Sequence, residues 1–205
     1  MVDETPQPRA RETRQRILDA ALRVFAAKGY HEARMDDIVA AADASKGAIY
    51  FHFPSKEHIF LALVDEFAAL LESRLEQALA EESSGVRRVD AALRVCMELF
   101  GRYRQLAKVV LVQAAGLGHV FERKRLEVHQ RFVHIIKREL DRAVAEGSIP
   151  PIDTEVAALV WIGALNEVVI RWIYSGAPEP ERSLPALRAL LLRSVGVQME
   201  KRSEA

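Results

Sequence analysis

The side chains with the most legible chemistry in this 205-residue chain are Lys46, Ala48, Tyr50, Phe51 and His52, gathered around Gly47. Lysine donates to guanine O6 and N7, alanine touches a thymine methyl, and tyrosine or histidine donates to phosphate, so the cluster has the chemistry of groove reading. Ile49 and Phe53 are four apart and share a helix face, which turns Lys46, Gly47, Ala48, Tyr50, Phe51 and His52 outward. Ser45 offers its hydroxyl as the N-cap of that helix. After the break at Pro54-Ser55, Lys56 and the free N–H groups of the next helix start form a candidate phosphate clamp, and Arg34 is a further candidate phosphate contact.

Catalytic chemistry finds no comparable cluster. His129 and His134 are five apart, about 140° around a helix axis, so they cannot share a metal ion. No His pair at i, i+4, no Cys pair and no Gly-x-Ser-x-Gly turn occurs. Gly116-Leu-Gly118 follows an expected helix rather than a strand, which excludes a dinucleotide fingerprint. The expectation is therefore no enzyme, no cofactor and no metal site.

The elements that must position the outward cluster are two short helices. Ile38, Val39, Ala41 and Ala42 give the first a small apolar face, and Asp36 and Asp37 fall in its first turn, where the helix dipole favours negative charge. The break falls at Asp43-Ala44. Spacing alone fits either an ordinary helical hairpin or a helix-turn-helix. Residues 13–25, Gly29-Tyr30, the stretch 34–53 and the stretch 53–60 together resemble the N-terminal domain of TetR/AcrR-type transcriptional regulators, over about the first 65 residues. Members of that family carry Gly-Val at the turn and Thr or Ser at the start of the first motif helix, where Asp43-Ala44 and Arg34 stand here. Asp adopts a left-handed turn less readily than Gly, and Arg34 cannot cap as Thr would, so both departures cost stability.

Composition bounds the rest. Half the residues are hydrophobic, enough for a full core, and 29 basic residues balance 29 acidic ones, so no global basic field announces nucleic acid. Between Arg9 and Lys56 nine bases face six acids, a mild local excess. Arg9, Arg11, Arg14 and Arg16 crowd the junction of a Pro-containing arm, residues 1–10, with a first helix predicted over 11–28, and are either a solvated face or phosphate contacts. The single Cys96 rules out an internal disulfide, and nothing at the N-terminus resembles a signal peptide, so the expected compartment is the cytoplasm.

Beyond a long helix predicted over 56–81, every segment has helical periodicity, with Pro150-Pro151 a firm break. Val156 to Leu165 is a ten-residue apolar run, too short for a membrane span. Gly163 and Ala164 permit close approach, and Leu184, Leu187, Leu191 and Val195 form a stripe from Ser183 onward. These two helices, 153–175 and 183–200, either fill a monomer or join a second copy in a four-helix seam; the resembling family dimerises through its last two helices. Phe100, Tyr103, Val110, Leu117 and Phe121, with Trp161 and Asn166, are candidates to line an elongated apolar ligand cavity, with Trp172 nearby and Arg123-Lys124-Arg125 placed to hold phosphates. Some members of the resembling family bind acyl-CoA and others cationic drugs, for which Glu167 is the candidate inner acid.

The expected architecture is all-α: an arm at 1–10, a helix-turn-helix DNA-binding domain at 11–71, and a helical effector-binding and dimerisation domain at 72–205. The expected function is a cytoplasmic homodimeric repressor on a palindromic operator in double-stranded DNA, with no membrane partner, released by a small apolar effector such as a fatty acyl-CoA. The competing classes are a drug-sensing regulator of the same kind, a helical lipid carrier or enzyme, and an architectural DNA-binding protein, against which the zero net charge speaks.

Overall fold

The computed structural model describes residues 8–113 and 118–197, and among these every regular element is helical. In order they are α1 (Pro8–Lys28), α2 (Met35–Ala41), α3 (Lys46–His52), α4 (Lys56–Ala80), α5 (Gly85–Arg102), α6 (Arg104–Ala107), a π-helical stretch (Lys108–Gln113), α7 (His119–Ala145), α8 (Thr154–Ser175) and α9 (Pro180–Ser194). The chain forms two compact units: Met1–Phe67 with Gln105–Lys124, and Ala68–Arg104 with Arg125–Ala205. The first unit thus takes in the sequence around the π-helical stretch as well as the expected helix-turn-helix region. Pro8 to Ala10, expected in the arm, begin α1.

In the first unit, Ile17, Leu18, Ala21 and Phe25 of α1 are buried with Ile38 of α2, Ile49 of α3, and Ile59 and Phe60 of α4. Gly29 takes a left-handed conformation (φ 81°) just beyond α1 and donates its N–H to Phe25 O, a C-terminal cap. A ring cluster completes the core: Tyr30 lies 5.5 Å from Phe25, 5.0 Å from Phe60 and 5.3 Å from Phe121, and Phe121 lies 5.2 Å from Phe60. Edge-to-face contacts of this kind add specificity to ordinary apolar burial.

In the second unit, Ser84 caps α5, and Leu93, Met97 and Phe100 form its buried stripe. The basic residue Arg88 is also buried, between Glu139 of α7 (3.9 Å) and Glu146 just beyond its end (3.7 Å). Asp153 caps α8 by accepting from Glu155 N and Val156 N, and the left-handed Gly176 (φ 76°) ends it. Helix α9 starts at Pro180, three residues before the expected start at Ser183, whose hydroxyl donates back to Glu179 O.

The leucine stripe of α9 is not a free seam. Leu187, Leu191 and Val195 are buried inside the protomer, with α9 packed on α5 and α8, and Asp90 of α5 holds Arg188. What α8 and α9 leave uncovered is a different face: Val156, Leu159, Val160 (56% exposed), Tyr174 and Leu190 (66%). Helix α8 also runs well past its ten-residue apolar run. By length and composition it is long enough to cross a membrane, with mean hydropathy 1.6. Ala158, Trp161, Ile162, Val169 and Ile173 are nevertheless buried in the unit, Ala158 and Ile162 against Val133 of α7, as in a core helix.

Candidate nucleic-acid interface

Helices α2 and α3 meet at Asp43, whose φ of 46° is the left-handed turn expected where the sequence lacks glycine. The turn is held from α1: Arg16 donates to Asp43 O (3.4 Å) and Arg23 to Ala41 O (3.2 Å), satisfying carbonyls that the end of α2 leaves free. Two of the expected phosphate-contacting arginines are therefore engaged inside the unit. Arg16 holds the turn, and Arg14 pairs with Glu66 at 2.5 Å and lies over the Phe53 ring.

The start of α2 is capped in a way that its first residue does not reveal. Arg34 has no capping oxygen, but Asp37 three residues on accepts from Arg34 N at 2.9 Å, the reciprocal half of a capping box. Asp37 also accepts from Lys28 Nζ at 2.7 Å. The hydrogen bond from Lys28, then that from Arg34, holds its carboxyl below the usual carboxylate range.

Ser45 caps α3 as expected, its Oγ accepting from Ala48 N at 3.1 Å. Ile49 and Phe53 are buried, Lys46, Gly47, Tyr50 and Phe51 are exposed, and Ala48 and His52, expected to face outward, are half-buried. Lys46 Nζ is 2.9 Å from Asp36 Oδ1, a link between α3 and α2 that the ten-residue separation gave no way to see. Arg34 is exposed near the start of α2.

Lys56 departs from its expected role. Its ammonium donates to Tyr30 O (2.9 Å), His31 O (3.0 Å) and Ala33 O (2.9 Å) and sits 4.7 Å from the Tyr30 ring centroid. An ammonium has three donors. All three are committed to the α1–α2 loop, so Lys56 braces the unit from within, in place of a phosphate clamp.

The candidate effector residues are divided between the two units. Phe121 is a core ring of the first unit, because α7 begins there, and Val110 falls in the π-helical stretch of the same unit. Phe100, Tyr103, Trp161 and Asn166 fall in the second unit, and Leu117 lies outside the described residues. Trp161 is buried, with its Nε1 donating to Ser194 Oγ at 3.1 Å. Lys124, expected to hold phosphate, pairs with Asp65 at 3.0 Å. Glu167 and Arg171 are both exposed, and among the described residues no ion pair joins them, so Glu167 is not an inner acid. A groove of about 710 Å³ in the second unit is lined by Glu72, Glu76, Glu127, Gln130, Arg131, His134, Ile135 and Arg138, none of them an expected ligand residue. Its acids and bases are largely spent on each other, Glu72 with Arg131 and Glu76 with Arg138.

A capped helix-turn-helix with an outward face of one cation, small residues and aromatic tips is the head of a DNA-binding transcriptional regulator. A family model described as bacterial regulatory proteins, tetR family, matches residues 17–63, which run from α1 through α3 into α4. The chain is 31% identical over 152 residues to the HTH-type transcriptional regulator UidR of Escherichia coli (strain K12), covering 71% of this chain and 73% of UidR. The chain belongs to the TetR family of transcriptional regulators. Its fold is shared with the fatty acid degradation regulator FadR from Bacillus halodurans (TM-score 0.86, 22% identity, 95% of this chain and 100% of the other). It is shared also with FadR from Bacillus subtilis, solved in complex with stearoyl-CoA (TM-score 0.80, 22% identity, 90% and 99%).

Proposed function

We propose that this protein is a homodimeric repressor that binds a palindromic operator through α3 and leaves it when an apolar acyl-CoA binds. The observation that carries the DNA-reading half is the outward set on α3, with Ile49 and Phe53 anchored beneath it. Lys46, Gly47, Ala48, Tyr50, Phe51 and His52 face the groove, and Arg34 and Ser45 lie at the two helix starts, where phosphates are attracted. Lys56 acts indirectly, by fixing the loop before α2.

The dimer reading rests on the uncovered apolar face of α8 and α9. Val156, Val160 and Tyr174 are exposed on α8, Leu190 on α9. Gly163 sits among them with open space where a Cβ would be, so it answers no packing need within the protomer and suits the close approach of a second helix. Two-fold pairing would match an operator with half-sites about one helical turn, or a multiple of it, apart.

The effector reading rests on the shared fold with FadR from Bacillus subtilis, which was solved with stearoyl-CoA. Glu167, the candidate inner acid for a cationic drug, is exposed and gives that reading no support. The test is thermal melting and operator release with stearoyl-CoA and a set of planar cations, since a ligand that binds only the folded state raises the melting temperature by mass action. A rise in melting temperature with loss of operator binding is expected for the acyl-CoA. Saturating acyl-CoA that does neither would refute the effector reading and leave the DNA-reading half standing.

A further inference from the structure

Phe51 projects from α3 with 84% of its surface exposed, although the same helix buries Ile49 completely and its C-cap residue Phe53 is nearly buried. By the helical repeat of about 100° per residue, Phe51 and Gly47, each two residues from the buried Ile49, both fall on the opposite side of α3, with Gly47 beside Phe51 one turn earlier. Gly47 is unexplained from inside the protein. Its φ is not positive, a Cβ there would meet nothing within 4 Å, and glycine is a poorer helix former than alanine. An uncovered ring next to a bare backbone, both at the centre of the outward face, together make a notch for something that comes very close.

The occupant follows from the reading of α3 as the groove-facing helix, on which this inference rests. Phenylalanine has no donor for phosphate, unlike Tyr50 and His52 on either side of it. The apolar group that the major groove offers to such a ring is the 5-methyl of thymine. The T-shaped contact of the His52 ring with Phe51, centroids 5.4 Å apart, supports the aromatic side chain on one side. We infer that Gly47 and Phe51 form a specificity site for a 5-methylpyrimidine: the ring takes the methyl in van der Waals contact, and the missing side chain at 47 lets the base edge approach beside it.

The experiment uses the full-length protein and a duplex selected from a random pool, with each thymine replaced in turn by deoxyuridine, which lacks only the methyl. At one thymine in each half-site the replacement is expected to weaken binding about three- to fivefold, the value of burying one methyl group. Phe51→Ala is expected to lose a similar factor on the thymine duplex and to bind both duplexes alike, whereas Phe51→Leu keeps most of the discrimination. Gly47→Ala is expected to raise the melting temperature of the free protein while weakening operator binding, a split that a purely structural role would not produce. Wild-type protein that binds its selected duplex but tolerates every thymine-to-deoxyuridine replacement overturns the proposal and leaves the regulator reading intact. So does Phe51→Ala with its discrimination unchanged. A pool from which no sequence is selected overturns the regulator reading, and this inference with it.

Discussion

Lys46 Nζ stands 2.9 Å from Asp36 Oδ1, so the first residue of α3 is tied to the first turn of α2. The hydrogen bond to Asp36 raises the lysine pKa above its ordinary value, and both side chains face solvent. Lys46 also lies 5.9 Å from the Tyr50 ring centroid. To donate to a guanine the ammonium must leave Asp36, which is itself a negative charge on the surface proposed to face DNA. Asp36→Asn should therefore strengthen binding to DNA of every sequence, most at low salt. Lys46→Ala should cost about 1 to 3 kcal/mol at a single base position. Fluorescence anisotropy over a salt series checks both, and a Lys46→Ala protein with unchanged operator affinity would remove lysine from the groove.

Lys56 and Phe121 should behave as structural residues of the first unit. Lys56→Met leaves three loop carbonyls without their donor and should cost about 2 to 3 kcal/mol of folding stability. The salt dependence of DNA binding by the folded variant should stay as in the wild type, because no phosphate contact is lost. Phe121→Ala removes a ring packed on Tyr30 and Phe60 and should cost about 3 to 5 kcal/mol. Urea unfolding measures both; a normal midpoint in Phe121→Ala would show that the ring is not core.

The faces of α8 and α9 separate association from folding. Val160→Glu and Leu190→Glu place a charge on exposed apolar positions and should yield folded monomers that lose operator binding. Leu187→Glu buries a charge against α5 and α8 and should instead unfold the protomer. Sedimentation with circular dichroism distinguishes the two classes, and a wild-type monomer at micromolar concentration would refute the dimer.

Acid should loosen the head at Asp37. Its folded pKa is lowered by the hydrogen bonds from Lys28 and Arg34, so folding favours the ionised form. The contribution is fully present above the unfolded value near 3.8 and is lost as pH falls through the lower folded value. Asp37→Asn should therefore weaken the fold at neutral pH and flatten the acid limb of its stability curve. Equilibrium unfolding from pH 7 to pH 2 reads this directly, and an unchanged acid limb would place the linkage elsewhere.

Local chemistry made much of the head legible in advance. Ser45 as N-cap, the turn at Asp43 and the buried pair Ile49 and Phe53 follow from helix periodicity and capping, which act over four residues or fewer. The resemblance then placed these pieces in a known family. Long-range partnership was beyond reach, because a charged or apolar residue announces its type and not its neighbour. Lys56 reads equally as a phosphate clamp or a carbonyl brace, Leu187 as a seam or a core residue, and Phe121 as a cavity wall or the fourth ring beside Tyr30. Only the tertiary structure decided these, by bringing three backbone carbonyls, helix α5 and an aromatic cluster to those side chains across intervals of more than twenty residues.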